Sequence, residues 1–152
     1  MYCIIIWGSA CESTLWPIFR LQKRSIRLIT NTKKRDSTIS AFHRLRILRL
    51  PELFKYGVLL FMFKFKNNLL PPIFNEFYSV NSAFHRYPTR KANHLRGPKL
   101  KTKMAQLFIK NSGAQIWNSY DAKIDHEKSI SCFKKDIMEI FLSTYGVQEN
   151  LV

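Results

Sequence analysis

Positively charged side chains recur at helical spacing near the beginning of the chain. Steps of three and four residues place four of them on one face of a helix, and three more follow in the next loop. Such a ridge could contact nucleic-acid phosphates, since each neutralised phosphate releases bound counterions. A solvated helix face opposite a core is the other interpretation. The candidate phosphate contacts are Arg20, Lys23, Arg24, Arg27, Lys33, Lys34 and Arg35.

A second group of cations lies in the segment from His85 to Lys103, together with an aromatic residue. Its cations would attract phosphates, and Tyr87 could stack on an unpaired base, a contact worth roughly 1–3 kcal/mol. The alternatives are a loop that is basic for solubility and a Tyr87 that anchors this loop on the core. The candidate contacts are Arg86, Tyr87, Arg90, Lys91, Arg96, Lys99, Lys101 and Lys103.

No local grouping of residues indicates catalysis. Polymerase chemistry needs clustered carboxylates that hold metal ions. Asp121, Asp125 and Glu127 lie between Trp117 and the last predicted helix, and we interpret them as surface groups. Zinc ligands usually come in closely spaced pairs, and Cys3 and Cys11 stand eight residues apart. We therefore expect no catalytic residue, no metal site and no cofactor, in a protein that is not an enzyme.

The charge of the chain is strongly positive and unevenly distributed. Its 152 residues include 25 Lys and Arg against 10 Asp and Glu, which makes a net charge of +15. Residues 20–49 hold ten cations and residues 85–110 hold eight, so these two stretches carry 18 of the 25. A polyanionic partner would relieve the resulting self-repulsion. RNA or DNA is the first candidate, and an anionic membrane surface is the second.

Cysteine usage and the N-terminal sequence indicate a protein of the cytoplasm or nucleus that is not secreted. Three cysteines form no paired framework, and the apolar run near Met1 lacks the basic leader of a signal peptide. The most apolar stretch, residues 58–63, is far shorter than the roughly 20 residues that a spanning helix needs. We expect no membrane span.

The first cation group lies on a predicted helix that begins at Ser13 or Thr14 and ends at Thr30. Pro17 is tolerated in a first turn, which favours a start near Trp16. The apolar pattern of this helix repeats at steps of three and four. The residues expected to face the core are Leu15, Phe19, Gln22, Ile26 and Ile29.

Further helices are predicted on both sides of the second cation group. A short helix should follow a cap at Asp36 or Ser37, and a third helix should open at Pro51. Residues 53–65 are apolar around most of that helix, which is typical of the centre of a bundle. Residues 104–109 fit either a strand or a short helix, and residues 113–120 fit a helix. A last helix should begin near Ser129 and end before Gly146.

These elements predict a mainly α-helical fold, a small irregular helical bundle with a long basic loop in its second half. The chain is long enough to bury one core, so we expect one domain overall. Its expected parts are an extended apolar remnant of an upstream module (1–12), a helical basic and apolar half (13–78), a basic loop excursion (79–111) and a C-terminal helical half (112–146).

An ordered series of short phrases resembles the segment that follows the polymerase domain in LINE-type (non-LTR) retrotransposon reverse transcriptases. Together the phrases span roughly Ile4 to Tyr145. They are Ile4 to Gly8 (IIIWG), Leu21 to Arg27 (LQKRSIR), Leu45 to Leu53 (LRILRLPEL), Asn68 to Pro71 (NLLP), His85 to Arg90 (HRYPTR), Gly113 to Asn118 (GAQIWN) and Ser131 to Lys134 (SCFK).

This resemblance implies a non-catalytic tail, because the chemistry of that family lies upstream. It implies that the tail holds template RNA or target DNA near an active site in the rest of the polyprotein, with the upstream polymerase domain as a candidate partner. It also implies that Met1 falls inside a module. Two alternatives stay open, a structural relic of a transposable element without function and a basic peripheral membrane-binding protein.

Overall fold

The chain folds into helices and one short two-stranded ribbon, so the prediction of a mainly α-helical fold is confirmed. The computed structural model describes residues 3–84, 87, 90–124 and 128–149. The helices are α1 (Ile4–Trp7), α2 (Glu12–Thr30), α3 (Ile39–Arg44), α4 (Leu50–Lys66), α5 (Lys103–Leu107), α6 (Ile109–Tyr120) and α7 (Ile130–Glu149). The ribbon pairs β1 (Ser79–Val80) antiparallel with β2 (Leu95–Arg96).

Helix α4 lies at the centre of the core, as its apolar circumference predicts. Val58, Leu59 and Met62 are fully buried on it, and the helix contacts α1, α6 and α7. The ring of Phe63 stacks on the ring of Phe133 in α7, with 4.1 Å between their centroids. The burial of these large apolar surfaces makes the main favourable contribution to the free energy of packing between the helices.

The C-terminal end of α7 is tied to the beginning of α4. The Tyr145 hydroxyl accepts a hydrogen bond of 3.0 Å from the Arg49 backbone N–H. The Arg49 guanidinium lies 4.6 Å from the centroid of the Tyr145 ring and pairs with Glu52 at 2.6 Å. Because this buried anchor holds its last turns, α7 continues through Gly146 to Glu149, and the predicted end before Gly146 is wrong.

Helix α2 begins earlier than Pro17 suggests. It starts at Glu12, so Pro17 lies inside the helix and removes the hydrogen bond to the carbonyl of Ser13. Ser13 and Pro17 are both exposed, and water can therefore replace that bond. The helix ends as predicted at Thr30, because Asn31 adopts the left-handed conformation (φ 49°) and its N–H donates to the Arg27 carbonyl.

The apolar face of α2 is covered along part of its length. Ile26 is buried, and Leu15, Phe19 and Gln22 are half-buried, whereas Ile29 is exposed against prediction. The partner of α2 is α3, whose six residues span roughly 9 Å, against roughly 28 Å for α2. A helix this short can cover only part of α2.

Residues 4–7 form a helical turn rather than part of the extended remnant that we expected. Ile4 in α1 is buried, and α1 packs on α4, so the apolar phrase has a partner within the chain. Gly8 ends this turn, where a Cβ atom would come within 2.8 Å of Cδ2 of Phe54. Burial against α4 selects the helical conformation of this short apolar run.

The long basic loop predicted over residues 79–111 is not confirmed. Backbone bonds of Asn81 and Ser82 to the His94 and Ala92 carbonyls extend the ribbon beyond β1 and β2. Residues 103–107 form α5, and the Thr102 hydroxyl caps it by accepting from the Ala105 N–H. Hydrogen bonds between residues far apart in the chain therefore order much of a segment whose composition is typical of a loop.

Helix α6 begins at Ile109, four residues before the predicted start at Gly113. Gly113 lies within the helix, at a point where the backbone of α6 comes close to the side chain of Tyr78. A Cβ atom at this position would collide with the Tyr78 hydroxyl. That hydroxyl donates a bond of 2.6 Å to the Ile109 carbonyl, and burial raises the pKa of Tyr78. None of the described helices has both the length and the apolarity needed to cross a membrane.

Candidate nucleic-acid interface

The side chain of Gln22 holds α2 in place. Its Nε2 donates to the Leu48 carbonyl at 2.9 Å, and its Oε1 accepts from the Leu50 N–H at 3.0 Å. Both groups belong to the backbone just before and at the start of α4, and the Leu50 N–H is one of the first N–H groups of a helix, which have no partner within it. This two-point contact sets the orientation of the cationic face of α2 relative to the core.

Four of the predicted cations on and after α2 line one open groove. Arg20, Arg24 and Arg27 stand at steps of four and three, and Lys34 follows from the next loop. The groove is also lined by apolar and neutral residues of α2 and the turn after it, which are Pro17, Leu21, Leu28, Asn31 and Thr32. The structure therefore places these four charges along one open surface made by α2 and the turn that follows it.

The other three predicted cations of this group lie outside the groove. Lys23 extends over the aromatic rings of Phe19 and Trp16, with its Nζ 4.3 Å and 5.2 Å from the ring centroids. Lys33 and Arg35 are exposed in the turn after α2. We infer that Lys23 stabilises its own helix, since a cation held over two rings is less available for a phosphate.

Asp36 organises the turn that follows the groove. Its carboxylate accepts from the Lys33 N–H at 3.2 Å, and its backbone carbonyl accepts from Nη2 of Arg27 at 3.3 Å. Arg27 therefore contributes both to the groove and to the closure of the turn. Substituting it would disturb the local structure as well as the charge.

The ribbon that carries the second cation group is fastened to α6 by Asn118. Its Oδ1 accepts from the Leu95 N–H at 2.9 Å, and its Nδ2 donates to the Leu95 carbonyl at 2.8 Å. The Leu95 side chain is buried. One amide thus satisfies both backbone groups of the residue next to Arg96 and fixes the ribbon on the core.

The second group presents its described side chains to solvent. Arg90, Lys91, Arg96, Lys99 and Lys101 are exposed. Tyr87 is 81% exposed, so it does not anchor the segment on the core. Arg86 lies outside the described residues, as does the side chain of Lys103 at the start of α5.

Phe84 is a residue of this surface that the sequence did not reveal. The guanidinium carbon of Arg96 lies 4.3 Å from the centroid of the Phe84 ring, and Phe84 is 59% exposed. Phe84 and Arg96 are twelve positions apart in the chain, and the pairing of β1 with β2 brings them into contact. Composition alone offers no signal for it, because an isolated Phe beside a basic segment is usually part of a core.

The candidate cations keep their charges free of acidic partners in the part of the chain that the structure describes. The ion pairs of these residues join Arg46 to Glu139, Arg49 to Glu52 and Lys128 to Asp136, and none of them includes a candidate cation. Within the same residues, no three His, Cys, Asp or Glu side chains come close enough to hold a metal ion. The surface is therefore suited to binding an anion.

Comparison with known proteins assigns no family to this chain. Neither the protein-family models, nor the curated proteins, nor the solved structures contain a match to this chain.

Proposed function

We propose that this chain is a non-catalytic nucleic-acid-binding module that holds RNA or DNA by phosphate contacts. The observation that carries the proposal is the groove of α2, where Arg20, Arg24, Arg27 and Lys34 have no acidic partner among the residues that the structure describes. Such a surface attracts a polyanion, and counterion release makes the affinity fall steeply with salt.

The phrases that resemble LINE-type reverse transcriptases suggest which nucleic acid this would be. A tail of such an enzyme would hold template RNA or target DNA in the cytoplasm or nucleus, next to the polymerase domain as its partner. Two of the phrases contain residues that orient the proposed surfaces, Gln22 in LQKRSIR and Asn118 in GAQIWN. Their hydrogen bonds support a conformational role for these two phrases.

A salt titration of nucleic-acid binding tests the proposal. We expect the triple variant Arg20→Gln, Arg24→Gln and Lys34→Gln to lower the slope of log affinity against log salt by about 2, since each phosphate contact on a single strand contributes about 0.7. Arg27 is left unchanged because it also closes the turn at Asp36.

A matched control removes three exposed cations elsewhere, Arg44, Lys55 and Lys66. If the control lowers the slope as much as the groove variant, net charge rather than the groove attracts the nucleic acid. Absence of binding at low salt would refute the function itself.

An anionic membrane surface is a second candidate, favoured by the apolar side chains that α2 leaves exposed. Ile18, Leu21 and Leu28 lie beside the arginines, and Leu28 is 77% exposed. A helix that presents both charges and apolar side chains binds at the boundary between headgroups and acyl chains. Sedimentation with anionic and with neutral vesicles tests this candidate, and absence from both pellets would dismiss it.

A further inference from the structure

The ribbon presents a flat, charged surface made of two side chains. The Arg96 guanidinium lies over the Phe84 ring at 4.3 Å, and both side chains are exposed. A guanidinium is planar as well as charged, and both it and an aromatic ring can stack on a flat group. This pair therefore offers a stacking face together with a positive charge.

Backbone hydrogen bonds hold both members of the pair in position. Arg96 follows Leu95, whose N–H and carbonyl are both bound by Asn118. Phe84 follows a turn in which its own N–H donates to the Asn81 carbonyl, while the Asn81 N–H donates to His94 across the ribbon. A side-chain pair that is already ordered loses little conformational entropy when a ligand stacks on it.

The surroundings of the pair indicate the charge of its ligand. Arg90, Lys91, Lys99 and Lys101 are exposed nearby in the chain, and the sequence contains no acid between Glu76 and Asp121. The ligand should therefore be anionic and should also offer a flat, weakly polar face. An unpaired nucleobase on a phosphate backbone has both properties, and a base inside a duplex has its faces covered by its neighbours.

We propose that Phe84 and Arg96 form a stacking platform for unpaired bases, so that the chain prefers single-stranded to double-stranded nucleic acid. This inference rests on the proposed nucleic-acid binding and specifies its ligand. Phosphate contacts in the groove of α2 would supply affinity for any strand. The platform would supply the difference between strands with accessible bases and strands without them.

Binding measured with three probes tests the platform. The probes are an oligouridine, a strand of the same length whose bases are removed, and an RNA duplex with the same number of phosphates. Arg96→Lys keeps the charge and removes the planar face, and Phe84→Leu keeps an apolar side chain and removes the ring. We expect each variant to lower the affinity for oligouridine about tenfold, with the abasic strand and the duplex changed less than about twofold.

The salt dependence separates stacking from phosphate contact. Because Arg96→Lys retains the charge, the slope of log affinity against log salt should stay the same for all three probes. Arg44→Lys is the matched control, since Arg44 is an exposed arginine outside the proposed contacts, and it should leave the preference for oligouridine intact.

The possible outcomes distinguish this inference from the function on which it rests. Equal affinities of the unmodified chain for oligouridine and the abasic strand would overturn the platform while leaving phosphate binding in place. An unchanged oligouridine affinity in both variants would do the same. If none of the probes binds at low salt, the proposed function fails together with the platform.

Discussion

Two amide side chains, Gln22 and Asn118, determine where the charged surfaces lie. The oxygen of each amide accepts from a backbone N–H, and its nitrogen donates to a backbone carbonyl. These backbone groups lie more than 20 residues away from the amide in the sequence. Neither residue contributes charge, yet the arginines of α2 and Arg96 depend on them for orientation. Leaving such backbone groups unpaired typically lowers stability by about 1–3 kcal/mol.

The variant Asn118→Asp tests this role at a single residue. A carboxylate can still accept from the Leu95 N–H, but it cannot donate to the Leu95 carbonyl and repels it instead. We expect the free energy of unfolding to fall by about 1–3 kcal/mol in urea denaturation. Asn93, an exposed amide between the strands, provides the control variant Asn93→Asp, which should change stability by less than about 0.5 kcal/mol. Equal effects of the two variants would contradict a specific role of Asn118.

At the scale of elements, α2 is the helix whose surroundings match its sequence least. It carries apolar side chains around more of its circumference than α3 can cover, so Leu21 and Leu28 remain in solvent. The same residues lie in the groove with the arginines. The function of α2 therefore depends on whether its ligand contacts charges alone or charges and apolar side chains together.

Replacing both leucines, Leu21→Gln and Leu28→Gln, separates these two cases. Because both side chains are exposed, we expect stability to change by less than about 0.5 kcal/mol. Binding to anionic vesicles should fall at least about tenfold, since the apolar contact with the acyl chains is lost. Binding to nucleic acid should keep its salt slope, because no charge is removed.

The exposed Ile73, outside α2, provides the matched control Ile73→Gln, which should affect neither ligand. A loss of more than about 1 kcal/mol of stability in the leucine variant would show that α2 packs against another part of the chain.

At the scale of the whole molecule, both halves of the chain share one core. Helix α4 contacts α6 and α7, and α3 contacts α7. The expected single domain stays a prediction, and these contacts favour it over a relic without a native fold. Shared burial of Phe63, Trp117 and Phe133 couples the stability of the two halves.

Thermal unfolding should consequently occur in one cooperative transition. Helix content by circular dichroism and tryptophan fluorescence, which includes the buried Trp117, should give the same midpoint. Phe133→Ala should destabilise the protein by about 3–5 kcal/mol and shift both signals together. Phe108→Ala, at an exposed ring, is the control. Different midpoints for the two signals, or a melt without cooperativity, would favour the relic.

Much of the helical fold could be predicted from the sequence because helical periodicity is a local property. The central position of α4 follows from its apolar circumference. The buried residues Phe133, Ile137 and Phe141 of α7 likewise recur at steps of four, a pattern that is visible in the sequence. The exposure of Ile29 and the helical turn at Ile4 could not be predicted, because they depend on which other element covers each residue.

The sequence by itself determined the large positive charge, the two cation groups and the helices that carry the first of them. Only the tertiary structure decided that Gln22 and Asn118 bind backbone groups far away in the chain, that Ile29 is left exposed, and that Arg96 meets Phe84. The physical reason is that charge and periodicity are properties of neighbours in the chain, whereas a binding surface is made by side chains that long-range packing and hydrogen bonds bring together.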